Sequence, residues 1–187
     1  MTEESAMTRI AEITARAQVS PDAAHIFDAI IASRGGILGP YPMLLHSPEL
    51  AGRTAHLGSY VRFESTLSAV DRELAVITAC REFDCDFAWS AHATMAREAG
   101  VREHAIEVVA NRASLDSLTR DEAAIVAYGR ELLRDKRVSE ATFDAARARL
   151  GDQGVLELTA TIGSYGMLAC VLNAFEVTPP PDTPRLP

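Results

Sequence analysis

The stretch Glu73–Gly100, "ELAVITACREFDCDFAWSAHATMAREAG", decides the fold. After its opening glutamate, "LAVITAC" is nearly all apolar. A helix with no polar face belongs in a core. Ser68 with Asp71 three residues later forms a weaker capping box, Asp standing in for Glu, and starts that helix. The acidic "DCD", Asp84–Cys85–Asp86, reads as a break. A second helix follows, with Ala88, Ala91, Met95 and Ala99 as its apolar stripe and Gly100 as its left-handed stop.

Outward from this pair, helix punctuation recurs and no strand pattern of any length appears. Ser20-Pro21 is an N-cap followed by proline at the first helical position, and Phe27, Ile30 and Ile31 fall on one face before Gly35-Gly36. "GILGPYPMLLH" is a loop or short turn. Ser47-Pro48 repeats the start signal, with Leu50, Leu57 and Val61 supplying a face. Thr119 and Glu122 form a fuller capping box, and that helix ends in "RDKR", where positive charge complements the helix dipole. A helix from Ser139 stops at Gly151, and a last one runs from about Gln153 to Ala174. Gly163 and Gly166 within it allow another helix to come close, or mark a local kink. The prediction is an all-α helical bundle of about seven or eight helices, a single domain over residues 1–187 with a proline-rich, extended tail at 178–187.

Hydrophobic residues make up 48%, enough for a folded core, and the net charge of −8 with no Lys/Arg-rich run argues against a nucleic-acid partner. The N-terminus has early glutamates and no apolar run of the signal-peptide kind. The longest uncharged stretch, Leu158–Phe175, has 18 residues, the lower limit for a membrane span, but carries Thr159, Thr161, Ser164, Tyr165 and Asn173. It reads as a buried helix, with no membrane partner. Three cysteines without an export signal predict reduced thiols in the cytoplasm.

Chemistry concentrates in one patch. Cys85 lies seven residues before His92, two turns back, with Trp89 between them, so the three share a lateral face if the helix reaches that far. Cys85 also sits near a helix N-terminus, which favours a thiolate, while Asp84 and Asp86 oppose it. For His92 two readings stand, a core histidine bonded to backbone and an acid–base group. For Glu73 they are a carboxylate favouring the positive helix end and a partner that orients His92. Cys80 and Cys85, five apart, do not face each other unless the break turns them; Cys80 and Cys170 read as core residues. Metal binding fits poorly, with no C-x-x-C, H-x-x-x-H or HExxH, and His25, His46, His56 and His104 are scattered and expected mostly on surfaces. Tyr41 and Tyr165, with Trp89 and Ala88, are candidates for lining a substrate pocket.

Glu73, then Cys85 twelve residues on, then His92 seven further, together with "RELAVITAC" and "FAWSAHATMAREAGV", resembles the carboxymuconolactone decarboxylase and alkyl hydroperoxidase D family. The likeness runs over about residues 47–135. It implies an alkyl hydroperoxidase D-like bundle, subunits that assemble as homotrimers or hexamers, and no metal or organic cofactor. It also implies catalytic roles for Glu73, Cys85 and His92. The peroxidase branch has E-x(11)-C-x-x-C-x-x-x-H, its two cysteines forming the redox couple. This chain has Ala88 where the second cysteine, the one expected to attack peroxide, should stand. Three functions follow as expectations. The first is a decarboxylase-like, lyase-type enzyme moving a proton on a small organic acid, lactone or carbonyl compound through His92, assisted by Glu73. The second is a thiol-dependent peroxidase of antioxidant type acting through Cys85 alone. The third is a non-catalytic oligomer that binds a small ligand or a partner.

Overall fold

The capping signals read from the sequence form in the computed structural model, which describes residues 8–187. Eight α-helices follow one another among the described residues, with short 3-10 turns and no strand. They are α1 (Ala24–Arg34), α2 (Tyr41–Leu44), α3 (Pro48–Ser59), α4 (Ala69–Glu82), α5 (Asp86–Ala99), α6 (Glu103–Ala110), α7 (Arg120–Arg134) and α8 (Glu140–Ala174). Backbone contacts divide the chain into two units. One runs to Glu64 and takes in Cys170–Thr178; the other comprises Ser65–Ala169 and Pro179–Pro187.

In the first unit α1 packs on α3, and Ile26, Phe27 and Ile30 of α1 are buried. Gly52 permits the approach, since a Cβ there would lie 3.1 Å from the Ile26 side chain. Gly35 ends α1 in the left-handed region, φ 77°, where glycine carries no Cβ penalty. Arg34 donates to the Ala55 carbonyl at 2.8 Å and lies over the Tyr41 ring. The face expected for α3 is partly corrected. Val61 is buried, in a π-helical turn (Tyr60–Glu64), but Leu50 and Leu57 are 49% and 44% exposed, and Ala51, Thr54 and Ala55 point inward instead. The close approach that Gly52 allows favours small residues on that face, which leaves the leucines outside. Ile31 is likewise exposed at the edge of α1.

The second unit is built around α4, whose residues Glu73–Cys80 are all buried. α5 and α7 pack against it. Gly129 of α7 sits against Thr78, where a Cβ would fall only 2.8 Å from the Thr78 methyl. At the end of α4, Glu82 accepts two hydrogen bonds from Arg134, both 2.6 Å, so a nearly buried carboxylate is paired rather than orphaned. Gly151, φ 71° and ψ 176°, interrupts α8 where the sequence placed a stop. Of the two later glycines, Gly166 takes the Phe83 ring, an aromatic side chain rather than a helix backbone, while Gly163 is exposed and meets nothing. α8 contains an apolar window of mean hydropathy 1.6, long enough to cross a membrane, and half of that window is buried within the protein. The tail does more than trail. Arg185 and the Leu186 N–H both bond Asp86 at 2.9 Å, strapping the chain end to the first turn of α5.

The capping box at α7 is complete. Thr119 Oγ1 accepts the Glu122 N–H, and the Glu122 carboxylate accepts the Thr119 N–H at 2.9 Å. Arg102 also grips Glu122 through two guanidinium N–H groups, and this pairing, ahead of the cap bonds, holds the carboxyl down at about 2 from an ordinary 4.5. A depressed carboxyl stabilises the fold fully above its unfolded value and loses that contribution as pH falls through the folded one. We therefore expect Glu122→Gln to unfold at lower urea concentration at pH 7, with the gap to the parent closing between pH 4.5 and about 2. Thr119→Ala should cost about 1 kcal/mol by the same assay.

Candidate active site

The connection between α4 and α5 sets the site. The N–H of Asp84 bonds the Arg81 carbonyl at 3.1 Å and the N–H of Cys85 bonds the Cys80 carbonyl at 2.9 Å. These paired bonds, with Asp84 left-handed at φ 48°, make a Schellman motif closed without glycine. α5 starts at once, with Cys85 as its N-cap residue. So short a connection folds the two helices back as an antiparallel pair. A residue early in α4 then lies beside one in the body of α5.

Glu73 and His92 are that pair. Glu73 is the fifth residue of α4, and the helix N-terminus is served by Ser68 and Asp71 instead, so the helix-end reading of Glu73 gives way. Its Oε2 lies 2.8 Å from His92 Nδ1, both side chains being at least nine-tenths buried. A carboxylate facing Nδ1 accepts a hydrogen bond from the N–H there, which fixes the tautomer and leaves Nε2 as the atom that can take up or give a proton. The ring edge of Tyr165, on α8, meets the His92 ring at 86° with centroids 4.9 Å apart. The backbone reading of His92 is therefore replaced by a side-chain partner.

The buried face of α5 differs from the stripe expected. Ala88, Trp89, His92, Ala93 and Ala96 point inward, while Ala91 is exposed and Met95 and Ala99 are half-buried. Alanine fits either side of a helix, so an alanine-rich segment locates its inner face only to within one position. Trp89 and Ala88 are thus buried on the His92 side of the helix. Tyr41 belongs to the first unit, buried beneath Arg34.

Arg72 escaped the sequence reading. Its guanidinium lies 3.7 Å from Glu73 Oε1, too long for a hydrogen bond, and its buried Nε has no hydrogen-bond partner. A charged residue in the first turns of an otherwise apolar helix was the available signal. Asp71, also buried, is engaged by Arg149 at 2.7 Å and by Ser68, which fixes the start of α4 beneath Glu73.

All three cysteines are thiols. Cys80 and Cys85 are fully buried. Burial pushes the Cys80 thiol well up, and Cys85 and Glu73 add to that shift. Cys170 is exposed, not core. On a helix apolar all round, Gly163, Met167 and Cys170 form the outward side and Leu158, Ile162, Tyr165 and Ala169 the inward one, a choice composition does not encode. His25, His46, His56 and His104 are all exposed, as expected.

With this geometry in hand, comparisons with known proteins fall into place. Residues 48–131 match the carboxymuconolactone decarboxylase family. No curated protein matches the chain in sequence. Several solved structures share its fold. A peroxidase-related protein with an alkylhydroperoxidase D core from Ralstonia eutropha superposes with a TM-score of 0.75 at 17% identity, covering 94% of each chain. A peroxidase-related protein from Silicibacter gives 0.72 at 16%, covering 96% of each. A debrominase, as a cysteine-to-alanine variant in complex with 2,3,4-tribromopyrrole, gives 0.69 at 17%, covering 93% of this chain and 92% of its own. The all-α, alkyl hydroperoxidase D-like fold is thereby established.

The exposures make a direct prediction. A bulky aromatic disulfide reagent should titrate one thiol, Cys170, rapidly in the native protein, and all three only after unfolding. Rapid labelling of Cys80 or Cys85 in the native state would contradict these burials.

Proposed function

We propose, from the match of residues 48–131 to the carboxymuconolactone decarboxylase family, that this chain is an acid–base enzyme acting on a small organic acid, lactone or carbonyl compound. One observation carries the reading, the buried 2.8 Å contact between Glu73 Oε2 and His92 Nδ1. In this reading His92 Nε2 removes a proton from a carbon or oxygen of the substrate and returns it at another position, the elementary step of isomerisation and of proton return after decarboxylation. Glu73 holds the ring and offsets the positive charge that His92 carries between the two transfers. Trp89, Ala88 and Tyr165 supply apolar walls. A small ring-shaped substrate is consistent with the tribromopyrrole complex of the debrominase that shares the fold.

Self-association as a homotrimer or hexamer belongs to the same proposal. It is supported by Leu50, Leu57, Tyr60 and Phe63, four large apolar side chains 40% to 65% exposed along α3 and the turn after it. A monomer by native mass spectrometry at micromolar concentration would count against it.

The catalytic test uses variants that keep the fold. Deleting one partner of a buried charged pair costs about 3–5 kcal/mol, so Glu73→Gln is preferable to Glu73→Ala. Against a panel of small lactones, unsaturated organic acids and keto acids, His92→Gln, which can still donate to Glu73, should lower kcat about 10²–10⁴-fold with an unchanged circular dichroism spectrum. Glu73→Gln should lower kcat with little change in KM. A fully active His92→Gln enzyme would overturn the proposal.

A further inference from the structure

Among the described residues Arg72 and Arg130 each carry a buried Nε with no hydrogen-bond partner, and the two are not alike. Arg130 uses the rest of its guanidinium to hold the fold, since its Nη groups donate to the Ala113 and Val108 carbonyls at 2.7 and 3.0 Å. No carbonyl serves Arg72 in this way. Its Nε has only the 3.7 Å approach to Glu73 Oε1, beyond hydrogen-bond reach. Glu73 is held from its other oxygen by His92 at 2.8 Å. Asp71, next along the helix, is no alternative, because its two oxygens are taken by Arg149 at 2.7 Å and by the Ser68 hydroxyl at 2.8 Å.

A buried N–H of a charged group costs free energy when nothing accepts from it, and such a group in a folded protein calls for an explanation. The chemistry of the guanidinium indicates which acceptor suits it. Nε–H and the Nη–H beside it lie in one plane and match the two oxygens of a carboxylate, so this edge takes a carboxylate by two parallel bonds. Exposure supports the same reading. The Arg72 side chain is 19% exposed, against 7% for Glu73 and 10% for His92, so the arginine is the member of the trio that solvent reaches most. One carboxylate, that of Glu73, stands between the guanidinium and the imidazole. An acid gripped at Arg72 is therefore held within a small molecule's length of the His92 ring.

We propose that Arg72 is a specificity-determining residue of the site, binding the carboxylate of a small organic acid and holding the rest of that molecule toward His92. The inference rests on the acid–base reading above and deepens it, by assigning to one side chain the discrimination between charged acids and their neutral analogues. Glu73 and Arg72 then divide the work. Glu73 faces the imidazole and sets its tautomer, while Arg72 faces the ligand and sets which molecules stay long enough to react. The buried, unbonded Nε that is a cost to the free protein becomes a source of selectivity, since a neutral analogue leaves it unbonded and an acid does not.

The experiment uses the full-length protein labelled with nitrogen-15 at histidine and follows the His92 ring resonances. Acetate, pyruvate and 2-furoate are titrated at constant pH and ionic strength, each against its neutral amide. The acids should shift the His92 resonances in a saturable way, and the amides should bind about tenfold more weakly or worse, the size expected of a charge-assisted hydrogen bond. Arg72→Gln should erase that preference by weakening the acids and leaving the amides unchanged. Arg72→Lys, a charge without the planar fork, should retain part of it. The comparison of acid with amide in the unsubstituted protein stands whether or not a variant folds. Three results would overturn the assignment: amides bound as tightly as acids, acids bound equally well by Arg72→Gln, or no acid shifting His92 at millimolar concentration. A failure of the acid–base reading shows elsewhere, as turnover that survives His92→Gln, and leaves these binding results intact.

Discussion

A carboxylate buried in an apolar helix is costly unless something bonds it. In α4 the bond comes from His92, and much of the second unit arranges itself around that need. Ser68 and Asp71 start the helix so that Glu73 falls on its inward side, and Arg149 fixes that start. The Schellman turn returns the chain at once, which brings His92 to the correct height. Gly129 lets α7 close over Thr78 on another side of α4. Were Glu73 only a helix-end charge, none of these would need to agree. The pair also keeps the imidazole largely buried, with Nε2 outside the contact to the carboxylate.

Much of this was legible in the sequence. Ser68, Thr119, Gly35, Gly100 and Gly151 mark helix ends through backbone requirements that hold wherever they occur, so the boundaries followed from single residues. The spacing of Glu73, Cys85 and His92 marked the constellation, because period and turn length together determine what can meet. What stayed hidden depends on the neighbour rather than on the residue. Alanines on α5 and apolar residues all round α8 gave no direction, so Ala91 and Cys170 were placed on the wrong side. Leu50 and Leu57 lie outside because the small residue Gly52 brings α1 close on the other face. The tight turn between α4 and α5 needed Asp84 to enter the left-handed region, a conformation an aspartate permits but does not announce.

The second unit thus carries an oriented imidazole beside two separately buried free thiols. Solved structures that share the fold include peroxidase-related proteins and a debrominase. A fold that hosts different reactions is consistent with function residing in a few substitutable positions.

The central claim is that the Glu73 carboxylate fixes the His92 tautomer, and the most direct measurement is nitrogen-15 NMR of the imidazole. In protein labelled at histidine, the neutral His92 ring should carry its proton on Nδ1, with Nε2 showing the shift of an unprotonated nitrogen, and Glu73→Gln should move the Nδ1 proton resonance upfield. A neutral ring protonated on Nε2 would contradict the account.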